Sequence, residues 1–392
     1  MKVAFVGNMN NWFFSVVRLL RDRGVDAHLF MAGNEGMMFH PSFDSFDLEY
    51  REYTHELPVG NPLFLHSVAP SDIRRVLAPY DFVVGCGAMP AYAEKAGFQL
   101  DVFWPYGSDL TELPFMRLGV PQRGSLRAFA DVRFFQRRGI RRARAHVGMF
   151  ELEHEQALDR IGTEGVRTGI PVAPLYPKDF MPEAIERTRK RSTWADEFAH
   201  VRASSDVLVY HASRQLWKSR TTPLNYKAND ALFRGFANAQ QARRDVRMSM
   251  ICHEFGPDVQ ASKELCAELG IASNVHWLPP MARKDIMCGL SLADIAATEF
   301  ANSWNFSGVI AEALAVGVPV MQHRRDENYS AKDLYPLLSA ANDLEIFQRL
   351  TEFVDNPAPA RKAAREAGAW FQKEIVNDPL ARWEELFKQK SR

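Results

Sequence analysis

Short apolar runs alternate with amphipathic stretches along the whole chain. Runs rich in Val, Ile and Phe at residues 2–6, 26–30, 82–86, 100–104 and 146–149 predict buried parallel strands, because a strand covered on both faces loses polar alternation. Residues 12–23 carry helical periodicity and stop at Gly24. From Thr168 to Lys178 three prolines and one glycine fall within eleven residues, which breaks helix and removes ladder donors. Strand patterns resume at 206–210, 248–252, 275–278, 295–297 and 318–321, separated by helical patterns at 228–240, 259–269, 283–290 and 308–315. Helical segments at 343–355, 360–375 and 379–388 follow. The reading is an α/β protein of two doubly wound Rossmann-like domains facing each other across a cleft, where open α/β sheets bind ligands at the carboxyl ends of their strands. Residues 1–172 make the first domain and 173–378 the second. The last helix, 379–392, is a candidate to cross back to the first.

Composition narrows the class. With 392 residues, 46% apolar and 24% charged, the chain is long enough for two or three ordinary globular domains. Lys+Arg and Asp+Glu are equal at 48 each, which removes the global basic excess of a nucleic-acid binder. Cys86, Cys252, Cys266 and Cys288 form neither a CxxC pair nor a disulfide framework, so a reducing cytoplasm is the expected location and zinc is not expected. The opening apolar run turns polar at Gly7-Asn8, too soon for a signal-peptide core or a membrane span. The neutral total conceals one local excess: residues 117–144 hold nine arginines, from Arg117 to Arg144, against a single acid, Asp131. Interleaved with Phe129, Phe134 and Phe135, this segment reads either as a solvated helix face or as a peripheral contact for an anionic inner-membrane face or a phosphate-bearing acceptor.

The residues that carry chemistry follow the predicted strands. Ser307-Gly308 opens a helix whose free N–H groups and dipole favour a phosphate, by about 0.3–1 kcal/mol per exposed charge. Glu312, at i+4 from Gly308, lies on the face of that helix start, placed to accept two hydrogen bonds from a ribose, or stands as an ordinary surface glutamate. Arg214 follows one strand and Lys227 opens the next helix, with Lys218 as a rival. Arginine and lysine there suit a diphosphate, one as a bidentate fork and the other as a point charge. Glu299 follows the strand at 295–297. In the first domain, Gly7-Asn8 follows the first strand as a weak phosphate-loop candidate, and Tyr106 and Asp109 follow the strand at 100–104, with Asp109 equally suited to capping a turn. His253 and His276 are as readily structural as functional.

The segment Asn305-Phe306-Ser307-Gly308 through Glu312-Ala-Leu-Ala-Val-Gly317-Val-Pro319-Val320 resembles the donor-site pattern E-x-F-G-x-x-x-x-E-A-x-A-x-G-x-P-V of GT-B nucleotide-sugar glycosyltransferases, especially glycosyltransferase family 4. Two departures stand out: Trp304 occupies the position of the first glutamate, and the family's Phe-Gly becomes Phe306-Ser307. Lys227-Ala-Asn-Asp230 through Phe236 is similar to the family's K-G-x-D-x-L-I-x-A-F, the segment 274–281 with Pro280 is similar to the stretch that passes the nucleotide base, and Tyr106-Gly107-Ser108-Asp109-Leu110 to H-G-x-D-L, with tyrosine for histidine. The resemblance implies a glycosyltransferase of polysaccharide or glycan synthesis. It would move a sugar from a nucleotide-diphosphate sugar to a hydroxyl of a glycan, lipid-linked or small-molecule acceptor, with retention and without metal or other cofactor. Arg214 and Lys227 would hold the diphosphate, Glu312 the ribose, and Asn305, Phe306, Ser307, Gly308, Glu299 and Pro280 the rest of the donor. A nucleotide-sugar 2-epimerase of the same fold and a non-catalytic sugar-nucleotide or glycan-binding relative are the alternatives.

Overall fold

The computed structural model describes residues 1–390 apart from 34–35, 60, 117–125, 148–151, 164, 169–172, 220–225 and 303–304. Trp304, Arg117, Arg123 and the expected strand end at 148–149 therefore lie outside the described residues. Two compact units result, Met1–Tyr176 with Ile375–Arg392, and Pro177–Glu374.

In the first unit the strands are β1 (Lys2–Val6), β2 (Asp26–Ala32), β3 (Thr54–Leu57), β4 (Phe82–Gly85), β5 (Val102–Phe103), β6 (Ala145–Val147) and β7 (Val166–Thr168). They form one parallel sheet in the order β3-β2-β1-β4-β5-β6-β7, so the order reverses between β1 and β4. Val3, Ala4, Phe5 and Val6 are fully buried, as expected of a central strand covered on both faces. Edge strands β3 and β7 escape the apolar pattern because they are partly exposed and spell Thr-His-Glu-Leu and Val-Arg-Thr. The helix Asp378–Lys390 belongs to this unit. Its Trp383 is fully buried, stacked on Trp104 with ring centroids 5.8 Å apart and set edge-on to Phe5 at 5.6 Å, while Phe387 meets Phe82 at 5.0 Å.

The second unit repeats the plan with β8 (Val207–His211), β9 (Met248–His253), β10 (Val275–Leu278), β11 (Ile295–Ala297), β12 (Val320–Gln322) and β13 (Leu338–Ser339), in the order β10-β9-β8-β11-β12-β13. Here the order reverses between β8 and β11. Gly235, in the helix Asn229–Ala242, is a packing requirement, since an added Cβ would lie 2.6 Å from Ile346 in the helix Asp343–Asp355. The expected helix at 360–375 is shorter: Ala358–Trp370 is α-helical, and Phe371–Asn377 widens into π-helical turns before the last helix. Among the described residues no helix is long and apolar enough to cross a membrane.

Candidate functional site

The loops leaving β8 and β11, the two strands at the reversal of the second sheet, carry Arg214 and Glu299, and Glu299 meets Lys227. The anchor is His211 at the end of β8. Its Nδ1–H donates to Ala297 O at 2.8 Å, and its Nε2 accepts from Asn229 Nδ2 at 2.8 Å. Burial pushes His211 down to about 4, so the ring is neutral at pH 7 and ties β8 to β11 and to the start of the helix Asn229–Ala242. Asn229 completes the tie by accepting from Leu216 N at 3.0 Å, and Ser213 Oγ donates to Thr298 O at 2.7 Å. Arg214 lies inside this fixed segment. It is half-buried, and its guanidinium has no hydrogen-bond or ion-pair partner among the described residues. Gly256, at φ +119, makes room for it, because a Cβ there would stand 2.7 Å from Arg214 Cγ.

Lys227 is already paired. Its Nζ donates to Glu299 Oε1 at 2.6 Å, with the two side chains 16% and 7% exposed. The other oxygen, Glu299 Oε2, is buried without a hydrogen-bond partner among the described residues, and such a group costs about 1–3 kcal/mol until something donates to it. Ala228 holds the adjacent backbone in the left-handed region at φ +52, a conformation costing a non-glycine residue about 1–2 kcal/mol. The rival Lys218 is exposed on a loop whose amides, from Trp217 to Ser219, donate to the Asp258 carboxylate.

Glu312, buried on the helix Gly308–Val316, accepts from Arg283 Nε at 3.0 Å. Nothing in the sequence links Arg283 to it, since 29 residues separate them. Ser307 stands at the N-cap with extended backbone, yet its Oγ makes no capping bond and is buried without a partner, while Gly308 is exposed. Asn305 is held by Tyr335 Oη, which donates to its carbonyl at 2.8 Å, and by the buried Arg324, which donates to its Oδ1 at 3.2 Å. Phe306 stacks on Phe371 with centroids 6.4 Å apart. Pro280 is exposed just beyond β10. His253 is structural: its Nε2 accepts from Tyr210 Oη at 2.9 Å and its Nδ1–H donates to Pro279 O at 3.3 Å.

The first unit has its own pocket, about 260 Å³, at the carboxyl ends of β1, β2, β4 and β5, with Gly7, Phe39, Cys86, Tyr92 and Tyr106 in its wall. Gly7 takes φ +94 as the chain leaves β1. Asn8 is fully buried and turned inward. Its Nδ2 donates to Phe39 O at 2.6 Å and its Oδ1 accepts from Phe14 N at 2.9 Å, so it shapes the loop and presents no side-chain group to a phosphate. Asp109 is likewise fully buried, accepting from Gly87 N at 2.9 Å, Tyr106 N at 3.1 Å and Gly107 N at 3.0 Å. Of its two sequence readings, the structural one describes its surroundings. Burial pushes its carboxyl up to about 7, against the lowering effect of these amides.

No family model matches the sequence, and comparison with curated proteins finds no match. Solved structures do match across essentially the whole chain. HepE of Anabaena in complex with UDP superposes with a TM-score of 0.60 at 16% identity, covering 99% of this chain and 100% of that one. A glycosyltransferase from Rickettsia africae gives a TM-score of 0.60 at 14% identity, covering 100% and 98%. A UDP-GlcNAc 2-epimerase from Neisseria meningitidis bound to UDP-GlcNAc gives 0.53 at 14%, covering 99% and 100%. Together with the two parallel sheets, these likenesses identify the chain's architecture as the GT-B fold, found in nucleotide-sugar glycosyltransferases and UDP-GlcNAc 2-epimerases alike.

Proposed function

We propose that the protein transfers a sugar from a nucleotide-diphosphate sugar to a hydroxyl of a glycan, lipid-linked or small-molecule acceptor. The observation that carries this reading is Arg214: a half-buried guanidinium without a hydrogen-bond or ion-pair partner among the described residues, fixed at the switch point of a parallel sheet. A diphosphate supplies the partner it lacks. As the bond from the sugar's anomeric carbon to phosphate oxygen breaks, the electron pair passes to that oxygen, and Arg214 stabilises the charge that develops there. Lys227 contributes less, because Glu299 already offsets its charge. Glu312 holds the ribose with Arg283 behind it, and the open amides at Ser307-Gly308, with Asn305, Phe306 and Pro280 around them, take phosphate, sugar and base.

The similarity of residues 304–320 to the family 4 pattern supports retention, with the departing phosphate oxygen accepting the acceptor's proton on the face from which it left. No metal or other cofactor is required in this scheme, since Arg214 and Lys227 supply the positive charge. Tyr106 and the pocket it lines serve the acceptor, and Gly7, a phosphate-loop candidate, stands in the wall of that same pocket. A cytoplasmic enzyme with a peripheral seat on the membrane would meet a lipid-linked acceptor.

Calorimetry with UDP, GDP and ADP and their glucose conjugates tests the donor assignment. Binding of at least one conjugate, abolished or weakened more than tenfold in Arg214→Ala, supports it, and no binding by the unaltered protein overturns it. The likeness to the 2-epimerase motivates a second measurement: an epimerised donor formed without any acceptor would replace transfer with isomerisation. Tight donor binding with neither product would point to the non-catalytic relative.

A further inference from the structure

The helix Leu126–Arg142 has two opposed faces. One is built into the first unit: Val132, Gln136, Gly139 and Ile140 are buried, and Gln136 Nε2 donates to Gly87 O at 2.9 Å and Asp109 O at 3.0 Å. Gly139 lies so close to the helix Met89–Lys95 that an added Cβ would stand 2.0 Å from Pro90 O, so the helix cannot roll. The other face presents Ala130, Arg133, Phe134, Arg137, Arg138 and Arg141, spaced three and four apart, around a depression of about 400 Å³.

Charge is unevenly compensated across this face. Arg138 and Arg142 share Glu94, at 2.6 and 3.0 Å, and Arg144 lies 3.7 Å from Asp101. Arg133 donates to the Met116 carbonyl, at 3.4 Å, and Arg137 lies over the Phe115 ring at 5.6 Å. Neither they nor Arg141 has an acidic partner among the described residues. Between them Phe134 is 55% exposed.

We infer that this face docks on an anionic lipid surface, with Phe134 entering between headgroups and Arg133, Arg137 and Arg141 on the lipid phosphates. Three uncompensated guanidinium groups around one exposed aromatic ring complement a layer whose exterior is anionic and whose interior is apolar. A second copy of the chain fits poorly, because a two-fold contact would set the same positive charges against themselves. The inference assigns a surface to the peripheral seat proposed above, and it stands apart from donor chemistry, so its test requires no nucleotide and no turnover.

The experiment is sedimentation of the full chain with phosphatidylcholine vesicles, with and without phosphatidylglycerol. Binding is expected only with phosphatidylglycerol and should weaken as salt rises, because screening shortens the reach of the charges. Arg141→Gln should lower partitioning about fivefold and Arg141→Glu about twenty-fivefold. Phe134→Ser should lower it as well. Neither Arg141 nor the exposed part of Phe134 supports the core, so the thermal midpoint should hold and a misfolded variant would be recognised. Equal binding to neutral vesicles overturns the proposal, as does full binding by Phe134→Ser combined with Arg141→Glu. Light scattering that finds a dimer dissolved by Phe134→Ser would overturn it in favour of a contact between copies.

Discussion

The two units share a parallel sheet with one reversal of strand order, yet their strand ends carry opposite chemistry. In the second unit the strand ends are charged: Arg214 without a hydrogen-bond or ion-pair partner among the described residues, Lys227 against Glu299, and Arg283 against Glu312. In the first, the pocket wall is built of glycine, aliphatic, aromatic and sulfur-bearing residues, and the carboxyl of Asp109 is turned into backbone amides. Topology therefore locates a site without deciding what it handles. The decision lies in whether an ionisable side chain at the strand end is left open, paired or consumed by the loop.

The sharpest way to break this contrast is Arg214→Ala. Because the guanidinium has no hydrogen-bond or ion-pair partner among the described residues, turnover should fall about 100- to 1,000-fold with little change in thermal midpoint. A loss of stability would show that the group is structural after all. Acid distinguishes the units next. Asp109 has a folded pKa of about 7, above its ordinary 3.8, so its contribution is full below about pH 4 and is lost as pH rises toward 7. His211 has a folded pKa of about 4, below its ordinary 6.5, so its contribution is present above about pH 6.5 and is lost as pH falls toward 4. Each is worth on the order of 3 kcal/mol. Hydrogen exchange between pH 4 and 7 should show slopes of opposite sign from these two groups. Asp109→Asn should flatten the slope at β4, and His211→Gln the slope at β8. If either substitution leaves its slope intact, the corresponding group does not titrate as described.

A smaller effect is expected at the buried pair. Lys227→Met should destabilise by about 2 kcal/mol in urea unfolding by stranding Glu299, and adding Glu299→Gln should recover most of it. Smallest of all, Tyr106→Phe should raise the acceptor KM only a few-fold and leave donor binding unchanged. An equal loss of donor binding would mean that the pocket of the first unit does not serve the acceptor.

What could be read beforehand follows from how each feature is written in the chain. The central strands β1, β4, β8 and β9 are covered on both faces and declare themselves as apolar runs, whereas β13 is two residues long and half-exposed and has no such signature. Arg214, Lys227 and Glu312 were legible because a charged residue directly after a strand or at a helix start is unusual enough to notice. The partners of Lys227 and Glu312 were not. Lys227 and Glu299 are 72 residues apart, and His211 and Asn229 are 18 apart, on elements joined only by the register of the folded sheet. Asn8 and Asp109 carry the opposite lesson, since a polar residue in a loop reads the same whether its side chain faces a ligand or the loop's own amides.

The placement of the helix Asp378–Lys390 reverses the order in which the units are completed. Residues Pro177–Glu374 form an uninterrupted stretch, so the second unit emerges from the ribosome with every part of its sheet in hand. The first unit, begun earlier, is still short of Trp383 and Phe387, the side chains that cover Phe5, Trp104 and Phe82. Its apolar sheet face must wait through the synthesis of nearly two hundred residues, an interval in which a nascent chain is most open to chaperones and to aggregation. A stop codon a few residues before Trp383 would therefore injure the part of the protein translated first.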